Sequence, residues 1–84
     1  MQVKSYDELI NKAANFIHTQ WIYDDLASKG VEGAKELAQV FNEEWHEILD
    51  AIGRVFVLDE EQSPFCEALD LAGEMWDRSH GITN

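Results

Sequence analysis

Basic residues are scarce in this chain: six lysines and arginines stand against 17 aspartates and glutamates, for a formal net charge of −11. DNA, RNA and anionic membranes are held by clustered Lys and Arg, so direct binding to any of them is excluded as an electrostatic match. The balance permits a cation site, a basic protein partner, or plain solubility. Cysteine is nearly missing too. A lone Cys66 cannot close an internal disulfide, which favours a reducing compartment, and its neighbour Glu67 denies it the cationic setting that a reactive thiolate needs. No basic-plus-apolar leader opens the chain, and no apolar run approaches the ~20 residues of a membrane span, so a cytoplasmic protein without membrane contact is expected. Repeats, low-complexity tracts and long linkers are absent as well, and residues 1–84 are expected to form a single domain.

What is present is helical periodicity. Ser5-Tyr6-Asp7-Glu8 fits a capping box, with the Ser5 hydroxyl over the first turn and Glu8 reaching back. A first helix is expected from about Tyr6 to Ser28, with Leu9, Ile10, Ala13, Phe16, Ile17, Tyr23 and Leu26 forming a broad apolar stripe. Trp21 and Ile22 widen that stripe, which suggests contact on two sides. Gly30 supplies a left-handed stop.

A second helix begins near Val31 to Gly33 and carries Ala34, Leu37, Ala38, Phe41, Trp45, Ile48, Leu49 and Ile52. Gly53 and the strand-preferring Val55-Phe56-Val57-Leu58 blur its end. A lone strand would have no partner, so a frayed or kinked helix end is expected there. Ser63-Pro64 starts a third helix, running to about Ser79 with Phe65, Ala68, Leu69, Ala72, Met75 and Trp76 inward, and Gly81 ends it. The fold class is therefore all-α, a small bundle of three main helices with room for a short fourth turn. With 84 residues and three Trp, four Phe and two Tyr to cover, completion by homo-oligomerisation is expected.

The chemistry-bearing stretch is Glu43 to Ile52. Trp45, Ile48, Leu49 and Ile52 recur at three and four, and Glu43, Glu44 and Glu47 crowd the edge of that stripe. Like charges this close raise one another's pKa unless a cation sits between them. Glu67 and Asp70 form a second acidic pair one turn apart on the third helix. If the two helices run antiparallel, both pairs could face one cleft and give Mg²⁺ an all-oxygen site. The bland alternative is an ordinary solvated face, as charge runs usually are. Glu44, however, falls between Phe41 and Ile48 on the helical wheel, where a carboxylate is costly unless hydrated or coordinated.

Glu43-Glu44-x-x-Glu47, followed by Ile48-Leu49-Asp50-Ala51-Ile52 and later by Glu67-x-x-Asp70, resembles the signature of the all-α nucleoside triphosphate pyrophosphohydrolases, the MazG-like group. The resemblance spans Phe41 to Asp70. It implies Glu44, Glu47, Glu67 and Asp70 as Mg²⁺ ligands and Glu43 as an auxiliary acid, in a site built between subunits. A triphosphate would be cleaved there to monophosphate and pyrophosphate. Metal catalysis would orient the attacking water, and a carboxylate not fully engaged by the metal, Glu43 or Glu47, would act as general base. Arg54 is the nearest candidate for a phosphate, and Trp21 or Trp45 could stack on a nucleobase, although an aromatic at helical spacing is far more often core.

Other constellations carry less. Glu43-x-x-His46 and Asp77-x-x-His80 have the spacing of carboxylate-bridged di-iron bundles, which need inward ligands from four helices. His18 reads as a packing residue. The competing function rests on charge alone. A small helical protein of this acidity can display carboxylates in place of phosphates and occupy a basic, nucleic-acid-handling partner, as anti-restriction, anti-CRISPR and immunity-type inhibitors do. Glu32, Glu36, Glu43, Glu47 and Asp50 would form that face. A purely structural adaptor is a third class.

Overall fold

Helices form where the three-and-four spacing places them: α1 (Lys4–Ser28), α2 (Ala34–Val55) and α3 (Pro64–Ser79). The computed structural model describes the backbone of residues 4–80 and the side chains of residues 6–80. The Ser5 side-chain cap and the Gly81 stop expected from the sequence lie outside these. Among the described residues there is no strand and no fourth helix, and no helix is long and apolar enough to cross a membrane.

Local chemistry sets the helix ends. Gly30 adopts a left-handed φ of 86°, and around it the Val31 N–H donates to the Leu26 carbonyl while the Gly30 N–H donates to that of Ala27, both at 3.0 Å. This double closure is the Schellman arrangement, which only glycine enters without cost. Gly33 is also left-handed, at 84°, and no side chain caps the start of α2. At the other end Phe56 turns to an extended conformation (φ −108°, ψ 145°) after its N–H donates to Ile52. The strand-preferring residues beyond Val55 thus leave the helix as irregular chain, and Gly53 stays inside it without a break. At the start of α3 the Ser63 side chain accepts from the Cys66 N–H at 3.3 Å, with proline in the first turn.

The central helix is α1. Both α2 and α3 lie along it, whereas α2 and α3 meet only narrowly. Near one end of the bundle Tyr6 hydrogen-bonds Glu67; farther along, Trp21 meets Trp76 edge-on. These two contacts make α3 parallel to α1, with α2 antiparallel between them in sequence. Alanine dominates the interior: of the ten buried apolar residues among those described, Ala13, Ala14, Ala34, Ala38, Ala68 and Ala72 are six. Small side chains on both helices let α1 and α3 approach closely, with Ile17 and Trp45 filling the remaining space. Many larger apolar groups stay partly in water. Leu37 and Phe65, both expected inside, are 43% and 45% exposed.

Candidate functional site: an acidic helix face

Every residue adds about 100° around a helix, so α2 is best described from Trp45, its buried anchor. The Trp45 indole N–H donates to Gln20 of α1 at 2.6 Å. Its ring stacks on His46 and on Phe65 of α3. Trp45 therefore marks the sector of α2 that faces the other two helices. Glu36, Glu43, Glu47 and Asp50 fall within roughly 60° of one another on the opposite sector, and all four are exposed. Glu32, also exposed, precedes the helix on the turn. The five residues expected to form a partner face are thus all open to solvent, four of them on one helical stripe.

Little on the same face neutralises this stripe. Asp50 pairs with Arg54 at 3.2 Å, one turn on, with both side chains mostly in water. Pairs of this kind contribute little to stability. The other bridges among the described residues, Lys29 to Asp25 at the end of α1 and Arg78 to Glu74 on α3, are equally local. From Glu36 to Asp50 the stripe is about 21 Å long at 1.5 Å per residue. Its direction is held rigid by the buried opposite sector of the same helix.

The metal-ligand set is distributed differently. Glu44 and Glu47 stand about 100° and 160° around the same side of α2 from Trp45, which stacks on Phe65 of α3. Both are exposed, so solvent meets the cost that a carboxylate at the border of the apolar stripe would otherwise carry. On α3, Asp70 is exposed and Glu67 half-buried. Glu67 is occupied: its carboxylate accepts the Tyr6 hydroxyl at 2.7 Å. Among the described residues no three of His, Cys, Asp and Glu gather as a metal shell. The single chain therefore does not bring Glu44, Glu47, Glu67 and Asp70 together: Glu44, Glu47 and Asp70 lie on exposed faces, and Glu67 packs against Tyr6 of α1.

The other expected contacts sort likewise. Trp21 is half-buried against Trp76, so its ring is part of the packing, and Arg54 is engaged with Asp50. His46 donates its Nδ1–H to the Asn42 carbonyl at 2.7 Å, and His18 packs edge-on against Trp76. Compared with known protein families, curated proteins and solved structures, the chain matches none.

One feature had no signal in the sequence. Asp59, Glu60, Glu61 and Gln62 of the α2–α3 connection join Glu67 around an open depression of about 640 Å³. Tyr6 closes against this region, its ring edge-on to Phe56 at 5.5 Å. Burial raises the Tyr6 pKa above the usual phenol value, and the hydrogen bond to Glu67 adds to the rise. The two residues are 61 positions apart, and no local pattern announces such a pairing.

Proposed function

We propose that the protein is a binding module that presents the α2 carboxylates to a basic, nucleic-acid-handling protein partner, in the manner of an acidic inhibitor. The observation that carries this reading is the stripe of Glu36, Glu43, Glu47 and Asp50, exposed together on one rigid helix in a chain of net charge −11. Such a field speeds encounter with a cationic surface and disfavours partners of like charge. Four carboxylates over about 21 Å give one charge per ~7 Å, against 3.4 Å for one strand of DNA. The stripe would occupy a subset of a partner's phosphate-binding positions without copying a duplex. The same reading places the protein in the cytoplasm.

The test is capture from a lysate on immobilised protein, with the Glu43→Lys/Glu47→Lys variant as control and short duplex DNA as eluant. Basic proteins held by the wild type, lost by the variant and released by DNA support the reading. Retention that is indifferent to the two reversals contradicts it.

A second reading is Mg²⁺-dependent nucleotide pyrophosphohydrolysis, favoured by the acid-lined depression around Glu67. Glu44, Glu47, Glu67 and Asp70 would then be completed as a ligand set by a second copy. Pyrophosphate release from a panel of (d)NTPs with Mg²⁺, lost in Glu47→Gln, supports it. No release from any nucleotide sets it aside.

A further inference from the structure

Beside the acidic stripe, α2 carries a second line of largely apolar residues that the described helices cover only in part: Phe41 and Ile48 also pack inward, whereas Leu37 and Val55 stand open. Leu37, Phe41, Glu44, Ile48, Ala51 and Val55 follow one another at alternating steps of four and three, the spacing of a coiled-coil seam. At 1.5 Å per residue the line is about 27 Å long. Leu37 and Val55 are 43% and 63% exposed; Phe41, Ile48 and Ala51 are half-buried, and Glu44 is exposed. Phe41 is braced from beneath by Phe16 and Tyr23 of α1, at ring-centroid distances of 5.6 and 5.7 Å, so the middle of the seam has a firm floor. The core-facing sector, with Ala38, Trp45 and Ile52 buried, adjoins this line, and Ile48 packs against the core from its edge.

Charge decides what can cover the seam. A second copy would bring −11 against −11, and packing seam on seam would desolvate a Glu44 from each copy with no cation opposite. Of the two bases on α2, Lys35 lies on the opposite side of the helix from Glu44, and Arg54 is held by Asp50. An uncompensated buried carboxylate is strongly destabilising. A cationic helix has neither difficulty: its apolar face covers Leu37 to Val55, a lysine or arginine in its own seam pairs with Glu44, and its flanking bases meet Glu36, Glu43 and Glu47. A single polar position in such a seam also fixes register.

We propose that the Leu37–Val55 seam docks a cationic amphipathic helix whose central seam lysine or arginine pairs with Glu44. The proposal rests on the reading of α2 as an acidic partner face and names the partner's form. The probe is a synthetic three-heptad peptide with leucines at its seam positions, one central seam lysine and basic flanks. Its control moves that lysine to an outward position and puts leucine in the seam, so net charge is unchanged. Fluorescence anisotropy should show the lysine-seam peptide binding at least tenfold tighter to the wild type. Glu44→Leu should reverse that preference, and Leu37→Glu should abolish binding of both peptides. Equal binding of the two peptides, or binding of neither, overturns the proposal. So does a wild-type dimer in sedimentation that Leu37→Glu dissolves, since a second copy then owns the seam. If Leu37→Glu binds normally while Glu43→Lys/Glu47→Lys does not, the seam fails but the acidic face stands.

Discussion

Trp45 is the side chain on which α2 depends. It fills the space between the alanine-lined helices, stacks on Phe65 at 5.7 Å and donates to Gln20 at 2.6 Å. Trp45→Ala should cost about 3–5 kcal/mol, as large buried aromatics do. Trp45→Phe keeps a ring but leaves Gln20 without its donor, and about 1 kcal/mol of that loss belongs to the hydrogen bond; urea denaturation of the two variants separates the contributions. Tyr6 makes a different prediction. Its pKa is raised in the folded state, chiefly by burial and then by Glu67, so the folded protein holds the phenolic proton more tightly than the unfolded chain. Stability is then full below the ordinary phenol value and falls as pH rises through the folded one. Tyr6→Phe should flatten the alkaline arm of a stability–pH curve while lowering stability near neutrality by the lost bond to Glu67.

The helices depend on their ends as much as on their stripes. Gly30→Ala forces an L-residue into a left-handed turn and should cost about 1–2 kcal/mol. Ser63→Ala removes the α3 cap and should cost about 1 kcal/mol. Both are measurable as shifts in denaturant midpoint. These signals were legible in the sequence: Gly30 after the first stripe, and Ser63-Pro64 before the third. The three helices follow from them with bounds displaced by only a few residues. The end of α2 was harder to read, because Val55 to Leu58 prefer a strand and the chain has no strand to pair them with. What no local pattern contains is rotation and partner choice. Glu44 lies beside the apolar stripe and is exposed, and whether that border meets α3 or water depends on which helix lies at the centre. Small Ala13, Ala14, Ala68 and Ala72 draw α3 onto α1. The acids of α2 and α3 thereby lose the shared cleft that their spacing invited, and the link between Tyr6 and Glu67 appears instead.

Over the whole molecule, charge outweighs the small core. At −11 the folded chain repels itself, and among the described residues the opposing ions are three exposed i,i+4 pairs of little worth. Added monovalent salt should therefore raise the melting temperature through screening; a melting temperature that falls with salt would point to ion pairs holding the fold together. The same uncompensated field is what makes the protein suited to a basic partner. The most direct measurement of that claim is the affinity of the captured basic partner for wild type and for Glu43→Lys/Glu47→Lys across a salt series. A steep weakening with salt for the wild type, and a much shallower slope with lower affinity for the variant, is the predicted result. Equal slopes for the two proteins would contradict the assignment of the α2 face as the binding surface.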